Sequence, residues 1–396
     1  MEMMFGFAKE KLLEKKAFDT VNEIHQQPST WQKTVKQIRE RSAEIKKFIQ
    51  NITDQPDYDI ILTGAGTSEF VGNALYSYLN RICDYKVKSY ATTDLTPTPE
   101  NYISAHKPTL LISFGRSGDS PESIGAIQSV EAVNDHLYHL FITCNKDGAL
   151  SRRAAQEGSH CLAIDLTPET LDKSFAMTSS FTNMYLACLL CFSLDTLDDT
   201  VKEVEEIIDA GSRLLNEQWQ QMLNVDQLFA YKRIVYLGAN TLKGIAQESA
   251  LKMLELNAGS IPTMYDTPLG FRHGPKSIIN DDTLTVVYLS DNAYQRQYEI
   301  DLLKEMAGQK KGNRIMTICN TPSGEAESLS DFYYCFDTSA KDNIFLGLEY
   351  ILCAQLIAVF RSMQNGITPD NPCPTGEVNR VVKGVTLYPY KKIGAE

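Results

Sequence analysis

The sequence of 396 residues lacks a long hydrophobic run and lacks an excess of basic charge. No apolar run approaches the ~18 residues that a membrane-spanning helix needs, and Met1–Lys16 is too charged for a signal peptide. The 50 acidic and 38 basic side chains give a formal net charge of −12, which argues against a nucleic-acid partner because nucleic acids bind basic surfaces. We therefore expect neither a membrane protein nor a nucleic-acid-binding protein. A phosphorylated small molecule is compatible with this charge, since a few local donors can hold it.

The chain also lacks a disulfide framework and a metal-binding motif. Its nine cysteines are an odd number scattered through apolar stretches, a pattern typical of reduced thiols in a cytoplasmic protein. Cys188 and Cys191 lie in an apolar helical stretch, which is more typical of a core than of a redox or zinc pair. His136 and His139 have no cysteine or carboxylate cluster at ligand spacing. We predict no metal and no cofactor.

An internal repeat is present. The apolar run Tyr58–Thr63 is followed by Gly64 and a helical pattern, and the run Arg233–Leu237 is followed by Gly238 and a second helical pattern, a difference of 238 − 64 = 174 positions. The segment LFITCN ending at Asn145 is echoed by RIMTICN ending at Asn320, a difference of 320 − 145 = 175. Two independent matches at nearly one offset predict two copies of one module.

Each copy alternates short β-branched apolar runs with helical patterns, which is typical of a parallel sheet covered by helices on both faces. In the first copy we predict strands at Tyr58–Thr63, Val87–Ala91, Thr109–Phe114, Tyr138–Thr143 and His160–Ile164. The predicted fold is α/β: two tandem flavodoxin-like, doubly wound parallel-sheet domains with a helical N-terminal extension. The predicted boundaries are 1–51 for the extension, 52–215 for the first domain, and 216–396 for the second domain with its C-terminal tail. Such sheets bind ligands beyond the carboxyl ends of their strands.

The loop Gly64–Ser68 joins a predicted strand to a helix. Glycines let the backbone approach an anion, and a helix start offers unpaired N–H groups. The dinucleotide motif G-x-G-x-x-G fails because Glu69 stands where its third glycine is required. A phosphate loop and a plain tight turn both explain these residues.

The loop Gly115–Ser123 carries a stronger signal. Ser120 before Pro121 is a strong helix start, and Ser117 and Ser120 place hydroxyls beside exposed N–H groups. This pattern favours a site for one phosphate monoester, to which Arg116 could add charge. The alternative is a serine-rich capped loop with a solvated arginine. A third polar segment, Asp172–Asn183, would bring hydroxyls, Ser180 among them, to the same edge of the sheet.

Candidate acid–base groups lie in the second copy. Glu248, Lys252 and Glu255 are spaced i, i+4, i+7 and therefore share one helix face, although a solvated ion-pair stripe would have the same spacing. His273 lies in a loop rich in glycine and proline, and imidazole can transfer protons near neutral pH. A structural histidine is the alternative interpretation.

Taken together, these motifs resemble the sugar isomerase (SIS) family in its two-module form, known from the isomerase half of glucosamine-6-phosphate synthase. The stretches SFGRSGDSPES, FAMTSSFTNM and PLGFRHGPKS are similar to the AgaS-type branch, galactosamine-6-phosphate deaminase/isomerases also labelled tagatose-6-phosphate ketose/aldose isomerases. The resemblance spans residues from about 60 to 390, nearly the whole chain.

The resemblance implies a role for each matching residue. Glu255 matches the base that moves a proton between C1 and C2, and His273 matches a ring-opening histidine that can come from a neighbouring subunit. Lys383 matches a tail lysine that binds the open-chain ketose, and Glu248 and Lys252 match the polar pair lining the site. The implied substrate- and phosphate-binding residues are Gly66, Thr67, Ser68, Arg116, Ser117, Ser120, Ser180, Glu248 and Lys252.

The activity implied by the resemblance is conversion of galactosamine-6-phosphate to tagatose-6-phosphate and ammonia, a combination of isomerase, deaminase and hydrolase chemistry. The chain has no amidotransferase domain, and its first cysteine is Cys83, so ammonia release is favoured over ammonia use. The alternatives are a tagatose-6-phosphate ketose/aldose isomerase without deamination and a sugar-phosphate sensor without catalysis. We expect a small phosphosugar substrate, a cytoplasmic location, and a homodimer or higher homo-oligomer.

Overall fold

The computed structural model of the protein describes residues 3–340, 342–382 and 384–391. The chain divides into two compact units, each assembled from separate segments. The first-copy unit consists of Thr30–Asp172, Ser179–Asp198 and the segment from Gly376 onward, and the second-copy unit of the residues up to Ser29, Lys173–Thr178 and Asp199–Thr375. This division differs from our linear boundaries, because the N-terminal extension is shared between the units and the C-terminal tail packs with the first copy.

The N-terminal region is mainly helical, as the sequence predicts. It consists of β1 (Met3–Met4), β2 (Phe7–Ala8), α1 (Lys9–Glu14), α2 (Phe18–His25), α3 (Gln27–Glu40) and α4 (Ser42–Thr53). The strands β1 and β2 form an antiparallel pair. In α4, buried Ile45, Phe48, Ile49 and Ile52 recur at helical spacing, which explains why this segment forms an amphipathic helix.

The first-copy unit contains a five-stranded parallel sheet. Its elements are β3 (Asp59–Gly64), α5 (Thr67–Ile82), β4 (Val87–Ala91), α6 (Thr92–Leu95), β5 (Thr109–Gly115), α7 (Pro121–Val133), β6 (Leu137–Thr143), α8 (Ala149–Glu157), β7 (Cys161–Asp165) and α9 (Ser179–Cys191). The strand order is β4-β3-β5-β6-β7, so the winding direction reverses between β3 and β5. Every residue of β3 and β5 is buried, which explains their continuous apolar sequences.

The second-copy unit repeats this order. After α10 (Leu197–Arg213), a π-helical segment (Leu214–Gln218) leads into α11 (Gln220–Leu228). The module then contains β8 (Arg233–Leu237), α12 (Thr241–Leu256), β9 (Thr263–Asp266), α13 (Pro268–Phe271), β10 (Thr283–Tyr288), α14 (Ala293–Gly308), β11 (Arg314–Cys319), α15 (Gly324–Leu329), β12 (Phe332–Cys335) and α16 (Asn343–Gln364). The order β12-β11-β10-β8-β9 is the same as in the first copy when strands are numbered within the module. The two-copy prediction and the doubly wound fold class are confirmed.

The helix α16 shows that our statement that no apolar run approaches membrane-spanning length was wrong. It is long and apolar enough to cross a membrane by length and composition, but 94% of its most apolar window is buried inside the protein. Leu348, Ile351 and Leu352 are fully or almost fully buried. The length of α16 therefore reflects its position in the core of the second-copy unit.

Candidate active site

The loop between β5 and α7 has the helix cap that the sequence predicts. Ser120 is the N-cap of α7 and accepts a hydrogen bond from the Ser123 backbone N–H at 3.3 Å, with Pro121 at the first helical position. Gly118 has φ of +66°, which only glycine adopts readily. Ser117 and Ser120 are partly exposed, so their hydroxyls and the amides at the start of α7 are accessible. Since helix starts favour anions, this loop is suited to a phosphate.

The loop between β3 and α5 adds a second set of donors. Gly66 has φ of +55° and ψ of −128°, and a Cβ at Gly64 would lie 2.4 Å from the Ser68 carbonyl carbon. Both glycines are thus required by the turn. Thr67 and Ser68 lie in the first helical turn and are mostly buried. Because β3 and β5 are neighbours, the two loops lie side by side at the carboxyl edge where the winding direction reverses.

Arg116 contacts the C-terminal tail. Its side chain is buried, and Nη2 donates a hydrogen bond to the carbonyl oxygen of Arg380 at 2.6 Å. Arg380 in turn donates from Nε to the carbonyl oxygen of Asp172 at 3.0 Å. Arg116 therefore fastens the tail to the phosphate loop, and a direct contact between Arg116 and a phosphate stays a prediction. Lys383, the predicted tail lysine, lies outside the described residues.

Ser180 belongs to a buried cluster at the start of α9. The carboxylate of Asp172 accepts hydrogen bonds from the Ser180 backbone N–H at 2.8 Å and from the Ser180 hydroxyl at 2.5 Å, and it also accepts from the Ser179 hydroxyl. All three residues are fully buried. Sequence reasoning did not single out Asp172, because it lies seven positions before Ser179, too far from the helix start for a capping signal. Contact between Ser180 and a phosphate stays a prediction.

In the second-copy unit, α12 carries a buried charge triad. Lys252 Nζ lies 3.2 Å from Glu248 Oε1 and 2.5 Å from Glu255 Oε2. The Glu248 and Lys252 side chains are fully buried, whereas 25% of the Glu255 side chain is exposed. The solvated-stripe alternative is therefore wrong for Glu248 and Lys252.

Lys252 is charged in spite of its burial. Burial by itself lowers the pKa of Lys252, but the carboxylates of Glu248 and Glu255 outweigh this effect and raise the pKa above its usual value. Lys252 is thus a fixed cation beside Glu255, which is the more exposed of the two carboxylates. This arrangement provides a carboxyl group that is held by an ion pair and is accessible from outside the helix.

His273 lies on a short turn after β9. Thr267 caps α13 by accepting the Gly270 N–H at 2.9 Å, and the His273 N–H donates to the Gly270 carbonyl at 2.9 Å. Gly274 then reverses the chain with φ of +117°. The His273 side chain is exposed, so the turn presents an imidazole to the surroundings of the second-copy unit.

The second copy has a loop equivalent to the phosphate loop, and it carries acidic groups. At an offset of 174 positions, Asp291 aligns with Ser117. Asp291 pairs with Arg296 and accepts hydrogen bonds from Asn320 at 2.9 Å and from the Thr321 hydroxyl at 3.0 Å. Two carboxylates thus face this loop, because the Glu299 carboxylate also accepts the Ser290 N–H at 2.8 Å. The sequence analysis did not identify these acidic groups. The signal that could have shown them is Asp291, which stands at the position aligned with Ser117.

The fold and these residues assign the protein to the class of sugar isomerase (SIS) domain proteins. The family model of the SIS domain matches residues 54–194. The chain is 41% identical over 387 residues to the D-galactosamine-6-phosphate deaminase AgaS of Shewanella sp. (strain ANA-3), covering 97% of this chain and 95% of the relative. This protein belongs to the SIS family and, within it, to the group of AgaS relatives, as the sequence motifs indicate.

Solved structures agree with this assignment. A crystal structure of tagatose-6-phosphate ketose/aldose isomerase from Escherichia coli matches with a TM-score of 0.86 and 35% identity, covering 94% of this chain and 97% of that chain. A crystal structure from Clostridium novyi NT matches with a TM-score of 0.95 and 44% identity, covering 98% and 100%. The relatives are named as deaminase and isomerase enzymes, which supports catalysis over the sensor alternative and does not support the label hydrolase.

Proposed function

We propose that this protein converts galactosamine-6-phosphate and water into tagatose-6-phosphate and ammonia. The observation that carries the proposal is the buried Glu248–Lys252–Glu255 triad, which provides a fixed, accessible carboxylate in a chain 41% identical to a deaminase named for that substrate. An aldose–ketose proton shift needs such a base next to C2 of an open-chain sugar.

The phosphate would be held by first-copy residues. Ser117, Ser120, Thr67 and Ser68 offer hydroxyls, and the starts of α5 and α7 offer backbone N–H groups. Hydrogen bonds to a charged acceptor are stronger than those between neutral groups. Binding energy gained at the phosphate, away from the reacting carbons, can then be used to orient C1 and C2.

The proton shift is assigned to Glu255. In the open-chain aldehyde, Glu255 takes the proton from C2 while O1 gains a proton from water, which gives an enolamine. Glu255 returns its proton to C1 while the amine nitrogen gives a proton back to water, which gives a ketimine at C2. Water adds to the ketimine carbon, and the C–N bond breaks to release ammonia and leave the ketone. Lys252 holds Glu255 in position, since its Nζ lies 2.5 Å from Oε2.

Ring opening is assigned to His273. The closed sugar must lose the O1 proton and gain a proton at the ring oxygen before C2 becomes reactive. An exposed imidazole on a short turn can carry out both transfers, because one ring nitrogen can accept a proton while the other donates one.

Incubation of the purified protein with galactosamine-6-phosphate, with ammonia measured by a coupled assay, tests the proposal. We expect stoichiometric ammonia and tagatose-6-phosphate. The folded protein releasing no ammonia would refute the deaminase assignment. The same preparation given tagatose-6-phosphate alone tests the second candidate, a plain ketose/aldose isomerase, which the name of the Escherichia coli structure favours.

We also propose that the protein acts in the cytoplasm as a homodimer or higher homo-oligomer. All nine cysteines are free thiols, as is usual in a reducing compartment. Light scattering of the purified protein would determine the number of chains in the assembly.

A further inference from the structure

The turn that carries His273 is held by backbone hydrogen bonds and by little side-chain packing around the imidazole. His273 is flanked by Gly274, and a Cβ at Gly274 would meet no atom within 4 Å. Arg272 and His273 are exposed, so core packing does not hold this part of the turn. An imidazole that transfers protons must nevertheless keep its position to within a fraction of an ångström.

One side chain outside the turn contacts it on both sides of His273. Glu305, on α14, accepts from Arg272 Nε at 2.9 Å through Oε2 and pairs with Lys276 through Oε1. Arg272 directly precedes His273, and Lys276 follows it by three positions. The two oxygens of one carboxylate therefore join the two ends of the five-residue segment, Arg272 to Lys276, that displays the imidazole.

The ionised state of Glu305 favours this contact. The hydrogen bond from Lys276, assisted by the charges of Lys276 and Arg272, holds the pKa of Glu305 below its usual value. The three side chains are between 21% and 32% exposed. Partly exposed ion pairs add little to the free energy of unfolding. Loss of this contact should therefore change the conformation of the turn more than it lowers the free energy of unfolding.

We propose that Glu305 is a positioning residue for His273. Its carboxylate fixes the turn from Arg272 to Lys276 and so sets the place of the imidazole during ring opening. The inference rests on the ring-opening role proposed for His273, because Glu305 is assigned no contact with the substrate.

A double-mutant cycle tests the inference. We expect Glu305→Gln to lower kcat on galactosamine-6-phosphate about tenfold with KM nearly unchanged, since misplacement of a reacting group slows the chemical step. In the His273→Asn background, Glu305→Gln should cause no further loss, because a positioning residue acts only through the group that it positions. Glu305→Asp, which keeps the charge, should recover part of the rate.

Glu325→Gln is the matched control. Glu325 pairs with Lys304 of the same helix α14 at 2.8 Å, and both side chains are more than half exposed. This variant removes an ion pair from α14 away from the turn and should leave kcat unchanged. Thermal unfolding of all variants shows whether the fold is intact.

Each remaining outcome has a definite meaning. If Glu305→Gln lowers kcat equally with and without His273, the inference is wrong and Glu305 acts independently. An unchanged kcat for Glu305→Gln, while His273→Asn is slow, also overturns it and leaves the proposed function intact. If His273→Asn itself is fully active, the ring-opening role fails, and the inference fails with it.

Discussion

The two copies share one strand order but place their polar groups differently. The first copy concentrates hydroxyls and helix starts at the carboxyl edge of its sheet, in the loops after β3 and β5. The second copy carries its charge triad along one face of α12, and Glu255 lies in the last turn of that helix. Duplication of the scaffold therefore did not duplicate these polar groups.

The loops after β5 and β10 differ in their polar groups. At the aligned position the second copy has Asp291, which pairs with Arg296, and the carboxylate of Glu299 accepts the Ser290 N–H at 2.8 Å. The first copy has Ser117 at that position, and the carboxylate of its neighbour Asp119 accepts the Ala149 N–H at 2.8 Å. Internal carboxylates thus use the backbone donor of the second-copy loop, whereas Ser117 in the first copy is partly exposed.

The largest effect is expected at Glu255. Glu255→Gln should reduce kcat for ammonia release about 10³-fold, because a neutral amide cannot take the C2 proton. Substrate affinity, measured by calorimetry, should change little. Activity within a few fold of wild type would show that the second copy does not supply the base.

The acidic loop of the second copy predicts a pH effect on stability. Burial raises the pKa of Glu299 to about 7, above the ordinary value of 4.5. A carboxyl whose pKa is raised on folding favours the folded state below about pH 4.5, and this contribution is lost as the pH rises through about 7.

Glu299→Gln should remove this dependence. We subtract the free energy of unfolding of wild type from that of the variant, both measured by urea unfolding. This difference should increase by about 3 kcal/mol between pH 4.5 and pH 8. If the free energy of unfolding depends on pH in the same way in both proteins, this loop does not contain a buried carboxyl that titrates.

The phosphate loop of the first copy predicts a smaller effect on affinity. Ser117→Ala should raise KM about tenfold with kcat nearly unchanged, since one hydrogen bond to a charged group is lost. Ser328→Ala, which removes an exposed hydroxyl in the second copy, is the control and should leave KM unchanged. If the KM of the Ser117 variant equals that of wild type, this loop does not bind the phosphate.

The smallest kinetic effect is expected at Ser180. Its hydroxyl donates to the buried carboxylate of Asp172, so Ser180→Ala should lower the free energy of unfolding by about 1–3 kcal/mol and leave KM close to wild type. Thermal unfolding and steady-state kinetics on one preparation measure both quantities. An increase in KM as large as that of the Ser117 variant would instead make Ser180 a phosphate ligand.

Local sequence signals predicted the modules well. The strands Val87–Ala91 and Arg233–Leu237 have the predicted bounds, and Ser120 is the predicted N-cap. These features depend on neighbouring residues, such as a β-branched run or a serine before a proline. Hydrophobic periodicity and capping chemistry are therefore enough to locate them.

Features that depend on distant residues were not predictable in the same way. Arg116 contacts Arg380, 264 positions away, and nothing near Arg116 indicates that contact. The spacing of Glu248, Lys252 and Glu255 fixed their common helix face but could not distinguish burial from solvation. The composition of the two units from separate segments depends on distant residues too, since the tail from Gly376 onward belongs to the first-copy unit. The role of Lys383 stays a prediction.

The most direct test of the account compares kcat and KM for Ser117→Ala and Glu255→Gln on galactosamine-6-phosphate. If the first copy anchors the phosphate while the second copy moves the proton, Ser117→Ala raises KM alone and Glu255→Gln lowers kcat alone. The account would be contradicted if both variants changed the same constant, or if wild-type protein released no ammonia.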